Sequence, residues 1–309
     1  MWAIRPVDGA RRQVIAIHIV NGYHIASAAQ PSRSVLVTGC SSGIGHATAL
    51  ALAREGFPVW ASARKAGGLG ELERAGCRVL ELDVTDEQSR AAAVRQVEAE
   101  QGAVGVLVNN AGHGGGGPVE EVPLGIVRET FETNVFAVMR MCQLVLPAMR
   151  AQRSGLIVNL GSAAGLVTPP TGCPYAMTKY ALESLCDALR PEVAPFGIRV
   201  TLIQPGAVRT RFMANSELHQ PEDAGDSPYA VYKANVVKMA DRAHREGARG
   251  VLGADDVARV ILKAVTARHP RARYKAGSQA RLAPVARRVL GDHGWDAFMR
   301  RLVPFPAPR

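Results

Sequence analysis

The sequence predicts an α/β fold in which a doubly wound parallel sheet of about seven strands is covered by helices on both faces. From residue 34 onward, short runs rich in Val, Ile and Leu alternate with segments of helical periodicity, which is the pattern of successive β-α-β units. The runs are apolar throughout, as expected of strands that are buried on both faces. No repeat or low-complexity linker interrupts the pattern, so one domain is the simplest organisation.

The predicted elements follow from this alternation. Most of the apolar runs lead into Gly, Asp, Asn or Ser, the residues that begin turns, and helical segments of various lengths separate them. The predicted strands are residues 34–39, 58–63, 78–82, 105–109, 155–160, 199–204 and 273–276. The predicted helices are residues 43–55, 70–75, 86–101, 124–152, 174–195 and 254–268.

The net charge of +10 over 309 residues is concentrated at the two ends of the chain. Residues 267–309 carry ten Arg and Lys against two Asp, and residues 1–34 carry four Arg against one Asp, so the region between them is nearly neutral. A neutral centre favours an enzyme that acts on a small molecule rather than a nucleic-acid-binding protein. A basic tail that touches nucleic acid or anionic lipid is the alternative.

The spacing of the cysteines and histidines is informative about the cellular compartment and about metal binding. The five cysteines are widely spaced without a CxxC pair, which predicts reduced thiols in a cytoplasmic protein. The eight histidines show neither HxxxH nor HExxH spacing, so no metal site is predicted. No run of about eighteen apolar residues is present, and we therefore predict no membrane span.

Residues 1–33 precede the first predicted strand and share no pattern with the rest of the chain. Arg11 and Arg12 stand before a short apolar run, which faintly resembles a signal peptide, but His18 interrupts that run. We interpret the segment as a flexible N-terminal extension or an early start of translation, with secretion as the alternative. The catalytic domain is then expected to span residues 34–280.

A glycine-rich turn, residues 38–45, joins the first predicted strand to the first predicted helix. Glycine lets the main chain approach a ligand without a Cβ in the way, and a helix N-terminus attracts an anion. The turn therefore predicts a site for the pyrophosphate of a dinucleotide; a tight turn alone is the alternative for such a motif in isolation. The predicted contacts are Gly39, Ser41, Ser42, Gly43, Ile44 and Gly45.

The end of the second predicted strand indicates which dinucleotide binds. A site for NAD places Asp or Glu there to hold the ribose 2′-hydroxyl. Residues 61–65 contain no carboxylate, and Arg64 and Lys65 stand where a 2′-phosphate would lie. This favours NADP, with an ordinary solvated turn as the alternative. After the third strand, Asp83 and Val84 are predicted to contact the adenine; a plain strand-end aspartate is the alternative there.

Small residues follow the fourth predicted strand, where the sequence reads Asn-Asn-Ala-Gly at residues 109–112 and continues with His113 and four glycines. Open α/β sheets bind ligands beyond the carboxyl ends of their central strands, and small residues leave room there. The predicted cofactor contacts are Asn110, Ala111 and Gly112.

At this point the chain resembles the short-chain dehydrogenase/reductase family. The family markers are a TGxxxGxG turn, an NNAG segment, an asparagine in a long helix, a serine after the fifth strand and a YxxxK pair; all are present in order within about residues 34–277. The resemblance implies a Rossmann-type fold and an NADP(H)-dependent oxidoreductase acting on a carbonyl or an alcohol. The remaining markers are Asn134, Ser162, Tyr175 and Lys179, followed at the sixth strand by the predicted cofactor contacts Pro205, Gly206, Val208 and Thr210.

The YxxxK spacing has a chemical reason. Tyr175 and Lys179 are four residues apart and share one helix face, so the ammonium is expected to lower the pKa of the phenol. Tyr175 could then act as general acid or base, and Ser162 could hydrogen-bond the substrate oxygen. The family resemblance implies that Lys179 also holds the nicotinamide ribose, and that Asn134 supports a water that relays protons. Taken alone, each residue also has an ordinary interpretation. Tyr175 and Lys179 could be a surface pair, Ser162 a helix cap and Asn134 an exposed helix residue.

Residues 211–253 are predicted to form a lid over the nicotinamide and to line an apolar pocket, because a segment of this length in a compact domain is usually functional or carries helices. Phe212 and Met213 are among its large apolar residues. The turn at residues 39–42 and the helix at residues 183–189 resemble the 17-beta-hydroxysteroid and retinol dehydrogenase branch. That resemblance implies a hydrophobic ketone, aldehyde or alcohol as substrate.

The last predicted segment is a basic helical tail, residues 281–309, in which Pro284 and Gly291 argue against one long helix. We expect the tail to pack on the domain or on a second subunit, with a membrane surface as the alternative. By resemblance, a homodimer or homotetramer pairs through residues 124–152 and 174–195. A redox-inactive relative that binds NADP(H) as a sensor is the other functional class left open.

Overall fold

The computed structural model describes residues 19–20, 23–24, 30–210, 227–244 and 250–304. The chain divides into two compact units, Met1–Pro31 and Ser32–Arg309. In the first unit, Ile19–Val20 and Tyr23–His24 pair as a short antiparallel ladder.

The second unit is built on a seven-stranded sheet, and every ladder between its strands is parallel. The strands are β1 Val35–Val37, β2 Val59–Ala63, β3 Arg78–Glu81, β4 Val106–Asn109, β5 Gly155–Leu160, β6 Ile198–Pro205 and β7 Arg273–Ala276. Their order across the sheet is β3-β2-β1-β4-β5-β6-β7, so successive strands are added on one side of β1 as far as β3 and on its other side from β4 onward. Ligands bind at this point of reversal in open α/β sheets. The predicted fold class is confirmed.

Helices connect the strands and cover both faces of the sheet. Shorter 3₁₀ turns lie at Ala66–Gly68, Ala163–Gly165 and Ala194–Phe196. The α-helices are α1 Gly43–Arg54, α2 Gly70–Arg74, α3 Glu87–Gln101, α4 Leu124–Phe131, α5 Ala137–Ala151, α6 Cys173–Val193, α7 Ala230–His244, α8 Ala254–Thr266 and α9 Ser278–Leu302.

Successive residues of β1 show how two hydrophobic cores arise. Leu36 belongs to the cluster that includes residues of α3, α5 and α6. Val35 and Val37 belong to the other cluster, which includes residues of α1, α2 and α8. Because successive side chains of a strand point to opposite faces, a short apolar strand fills both cores at once. This double burial holds the carboxyl ends of β1 and β4 in place.

The helix predicted at residues 124–152 contains a π-helical turn at Glu132–Phe136, between α4 and α5. A π turn accommodates one extra residue and is frequent at functional sites. Asn134 lies inside it and is buried. Helix α6 carries Pro191 in its last turn and ends at Val193, two residues before the end of the predicted helix 174–195.

Helix α9 begins before the predicted tail and breaks within it. Gly291 has φ 60° and ψ −173°, a conformation that an L-residue with a Cβ rarely adopts. The helix therefore consists of two segments that meet at Gly291. Along the described part of the chain, no helix combines the length and apolar character needed to cross a bilayer.

The predicted lid falls partly outside the described residues. Residues 211–226 and 245–249 are not described, and Phe212 and Met213 are among them. The described remainder includes α7 and the segment that leads into α8, where Val208 and Leu252 form a parallel bridge.

Candidate active site

The turn between β1 and α1 brings the main chain into unusually close approach. Gly39 and Gly43 have φ of 73° and 61°, which favours glycine at both positions. A Cβ at Gly45 would lie 2.3 Å from the carbonyl oxygen of Gly39. Helix α1 begins at Gly43, so its N-terminus faces the turn, the arrangement that a pyrophosphate requires. Ser41 is exposed, and Ser42 and Ile44 are half-buried, at the entrance to α1.

The two predicted cofactor motifs are tied directly to each other. The hydroxyl oxygen of Thr38 accepts hydrogen bonds from the backbone N–H groups of Asn110 at 3.0 Å and Ala111 at 2.9 Å. The side-chain amide of Asn110 donates to the carbonyl oxygens of Thr38 at 2.8 Å and Gly39 at 3.0 Å. The loop that contains Gly112 therefore starts against the glycine turn. Both motifs line one edge of the sheet.

The segment after β6 reaches the same edge. The backbone N–H of Gly206, directly after Pro205, donates to Ala276 at 2.9 Å, and Val208 pairs with Leu252. A Cβ on Gly43 would lie 3.2 Å from Cγ2 of Thr210. Thr210 thus lies beside the glycine turn.

At the end of β2, Arg64 and Lys65 are exposed. The nearby Asp83 accepts hydrogen bonds from the N–H and hydroxyl of Thr85 at 2.9 and 2.7 Å. These bonds, aided by the positive charge of Arg64, lower the pKa of Asp83. The cationic pair and Asp83 therefore occupy one neighbourhood, beyond the ends of β2 and β3.

Val84 is buried, unlike the exposed Arg64 and Lys65. Its side chain is buried in the core between the sheet and α3, and its carbonyl oxygen accepts a hydrogen bond from Arg90. Only its main chain is therefore placed to meet an adenine.

Lys179 is buried and points toward the end of β5. Its Nζ donates to the carbonyl oxygen of Leu160 at 2.7 Å and lies 5.4 Å from the ring centroid of Tyr175. Burial lowers the pKa of Lys179 to about 8, because desolvation disfavours the charged ammonium. The amine can therefore gain or lose a proton near neutral pH.

The acidity of Tyr175 differs from the sequence-based expectation. Burial raises its pKa to about 12, and a hydrogen bond with Ser162 opposes that rise. The predicted lowering of this pKa is wrong, because desolvation disfavours the phenolate more than the hydrogen bond with Ser162 favours it. The hydroxyl oxygen of Ser162 also accepts from the N–H of Ala164 at 3.1 Å and caps the 3₁₀ turn after β5.

Asn134 connects three parts of the site. Its Oδ1 accepts from the N–H of His113 at 2.7 Å, and its Nδ2 donates to the carbonyl oxygen of His113 at 2.8 Å. The same Nδ2 donates to the hydroxyl of Thr178 at 3.1 Å. The sequence alone predicts no role for His113 or Thr178. The position of Thr178 directly before Lys179 was the one available signal.

A cavity of about 380 Å³ lies beside α6. Its walls come from the loop between the Ser162 turn and α6, from α6 itself, and from α7 and α9. In the part of the chain that the structure describes, no three His, Cys, Asp or Glu side chains lie close enough to hold a metal ion. The cavity is lined by Val167, Thr168, Pro169, Pro170, Tyr180, Tyr232, Arg287, Trp295, Asp296 and Met299.

The fold, the glycine turn and the Ser–Tyr–Lys geometry together define a dinucleotide-dependent oxidoreductase of the α/β class. Comparison with known families agrees, because the model of the short chain dehydrogenases matches residues 33–221. The chain belongs to the short-chain dehydrogenase/reductase family.

Among relatives, a 3-ketodihydrosphingosine reductase of Bacteroides thetaiotaomicron is 37% identical and covers 79% of this chain and 87% of its own. Human 17-beta-hydroxysteroid dehydrogenase type 1 is 36% identical, with 84% and 81% covered, and bovine retinol dehydrogenase 8 is 34% identical, with 81% and 83% covered. The predicted likeness to the hydroxysteroid and retinol dehydrogenase branch is therefore confirmed.

Solved structures of dehydrogenases also align with most of this chain. A Burkholderia phymatum short chain dehydrogenase/reductase in complex with NAD aligns with TM-score 0.71 and 26% identity, over 90% of this chain and 98% of that one. A serine dehydrogenase complexed with NADP+ aligns with TM-score 0.68 and 25% identity, over 79% and 94%. Similar folds thus carry either dinucleotide.

Proposed function

We propose that the protein is an NADP(H)-dependent oxidoreductase that interconverts a carbonyl and an alcohol on a hydrophobic substrate. The observation that carries the proposal is the convergence of Ser162, Tyr175 and Lys179 beyond the end of β5, on the same sheet edge as the glycine turn. The bound dinucleotide supplies or accepts the hydride.

Tyr175 donates the proton in the reducing direction. Burial raises its pKa to about 12, so the phenol is protonated at neutral pH and can act as a general acid toward a carbonyl oxygen. The hydroxyl of Ser162 donates a hydrogen bond to the same oxygen as negative charge develops on it. In the oxidising direction the ionised form of Tyr175, the phenolate, accepts the proton of the alcohol, while the hydroxyl of Ser162 hydrogen-bonds the same oxygen.

Lys179 and Asn134 are proposed to help return a proton to Tyr175 after it has been donated. Lys179, whose pKa is about 8, exchanges protons near neutral pH and also binds the nicotinamide ribose, as the family resemblance implies. Asn134 holds the carbonyl of His113 next to the π turn, where a water can connect Lys179 with solvent. These two are therefore proposed as catalytic residues beside Ser162 and Tyr175.

NADP(H) is the proposed dinucleotide because Arg64 and Lys65 are exposed at the end of β2 and residues 61–65 include no carboxylate. Guanidinium and ammonium groups there fit a 2′-phosphate, whereas a ribose 2′-hydroxyl needs an acceptor. The residues proposed to hold the rest of the cofactor are Gly39, Ser41, Ser42, Gly43, Ile44, Gly45, Asp83, Val84, Asn110, Ala111, Gly112, Tyr175, Lys179, Pro205, Gly206, Val208 and Thr210.

A bulky apolar substrate is supported by the cavity beside α6. Its lining includes the aromatic residues Tyr180, Tyr232 and Trp295, two aliphatic residues and two prolines, together with the polar Thr168, Arg287 and Asp296. Its volume of about 380 Å³ lies within the range of small-molecule sites. The three relatives are named for 3-ketodihydrosphingosine, a 17-beta-hydroxysteroid and retinol. We propose a ketone, aldehyde or alcohol of similarly apolar character for this chain.

A homo-oligomer that forms through α4, α5 and α6 is part of the proposal. These helices and the π turn between α4 and α5 expose large apolar side chains, among them Phe136, Met139 and Met177, which favours burial against a second copy. A cytoplasmic location is supported by the cysteines, all five of which are free thiols.

A screen of NADPH consumption tests the proposed function. Purified protein is mixed with NADPH and a panel of steroid, retinoid, long-chain and small ketones or aldehydes, and absorbance of NADPH is followed. We expect turnover to be highest with the bulky apolar members. A protein that binds NADPH but consumes none with any member would instead be the redox-inactive sensor.

A further inference from the structure

The first segment of α9, residues 278–290, places its large aliphatic side chains outward. Leu282, Val285 and Val289 are 65%, 57% and 79% exposed. Ala280 of the same segment is fully buried. A helix that only packs on its own domain shows the opposite arrangement, with large apolar residues inside and small or polar ones outside.

The outward side chains form one continuous face. At 3.6 residues per turn, residues 281, 282, 285, 288 and 289 fall within about 120° of the helix circumference. Arg281 and Arg288 are exposed along one margin of this face, and the three aliphatic residues occupy the rest. We call these five residues the α9 face.

The charged residues of the α9 face are all positive. Residues 278–290 contain three arginines and no Asp or Glu. The third, Arg287, is half-buried, lines the cavity and pairs with Asp292. Arg281 and Arg288 therefore present positive charge beside an exposed apolar strip, the composition of a helix that lies in a membrane interface.

We propose that the α9 face docks on the surface of an anionic lipid bilayer. The aliphatic side chains enter the boundary between headgroups and acyl chains, while the arginine stems extend to the phosphates. A second copy of the chain fits less well, because a symmetric contact would enclose four arginines while the α9 face offers no Asp or Glu to pair with them. The opposite side of α9 carries Arg287 into the cavity, so docking brings the cavity within about one helix diameter of the lipid.

Vesicle sedimentation with the full-length protein tests this. Vesicles of phosphatidylcholine alone are compared with vesicles of equal parts phosphatidylcholine and phosphatidylglycerol. We expect the protein to sediment with the mixed vesicles only, and added salt to release it. Replacing either Arg281 or Arg288 by Gln should weaken binding roughly fivefold, and Leu282→Asp combined with Val289→Asp should weaken it at least about tenfold.

The matched control is Val119→Asp, since Val119 is 75% exposed but lies before α4; this variant should bind like wild type. Thermal melting checks that all variants fold. The proposal is overturned if the wild-type protein stays in the supernatant with both kinds of vesicle, or if the Leu282/Val289 variant binds as tightly as wild type. Light scattering that shows a dimer dissociated by the Leu282/Val289 change would assign the α9 face to a second copy instead. None of these outcomes depends on the proposed reaction.

Discussion

The side-chain amide of Asn134 donates a hydrogen bond to the hydroxyl of Thr178 across 3.1 Å. The same hydroxyl donates to the carbonyl oxygen of Tyr175 at 2.7 Å. Because Asn134 also binds both backbone groups of His113, one threonine links the π turn and the loop after β4 to the helix that carries Tyr175 and Lys179. Thr178 is therefore a positioning residue for Asn134.

Thr178→Val should lower kcat roughly tenfold, since the loss of one buried hydrogen-bond acceptor costs about 1–2 kcal/mol. The affinity for NADPH should change little, because Thr178 does not lie on the glycine turn. Thr178→Ser keeps the hydroxyl and should restore kcat. Steady-state kinetics and NADPH titration of the three proteins provide the comparison; equal kcat for the Val and Ser variants would rule out the positioning role.

The pKa of Lys179, about 8, predicts the pH dependence of reduction. Desolvation moves this pKa below the ordinary lysine pKa of 10.5. The amine of Lys179 is therefore charged at pH values below about 8 and neutral above that pH. Tyr175 stays protonated through that interval because its own pKa is about 12. The value of kcat/KM should therefore fall as the pH rises through about 8. A profile that declines only near the ordinary lysine value would contradict this assignment.

Gly45→Ala should disrupt the dinucleotide site. The added Cβ would lie 2.3 Å from the carbonyl oxygen of Gly39 and 2.4 Å from Nδ2 of Asn110, so the two motifs must separate, at a cost of about 1–3 kcal/mol. We expect NADPH binding to weaken at least about tenfold with this loss of fit. Gly125→Ala is the control, because its Cβ would meet no atom within 4 Å. Fluorescence titration of NADPH distinguishes the two variants.

Arg64→Asp should reverse the cofactor preference. The wild-type residue offers a guanidinium to a 2′-phosphate, whereas the new carboxylate repels the phosphate and accepts from a ribose 2′-hydroxyl. The ratio of the dissociation constants for NADPH and NADH, measured for both proteins, reports the change. Wild-type protein that bound both dinucleotides equally would exclude Arg64 as the discriminating residue.

The sequence predicts the parts of the site that depend on local geometry. The glycine turn needs positive φ at Gly39 and Gly43, and the four-residue spacing of Tyr175 and Lys179 follows from helical periodicity alone. These features are visible without tertiary contacts. The seven strands are likewise marked by short apolar runs.

Features that depend on tertiary packing were not predictable. The π turn exists where Asn134 meets His113, a contact between an inter-strand loop and a helix 21 residues further along the chain. The pKa of Tyr175 depends on how completely its neighbours exclude water. The periodicity of α9 identifies an apolar face, but it does not say whether that face is turned toward the domain or away from it.

Tyr175 is proposed to supply the proton, and Tyr175→Phe removes only the hydroxyl that would donate it. The phenylalanine ring keeps the packing, so NADPH should bind with nearly wild-type affinity, while kcat on a ketone identified by the screen should fall by about 100-fold or more because the general acid is gone. Unchanged binding with lost turnover is the predicted result. Turnover of this variant at the wild-type rate would exclude Tyr175 as the general acid.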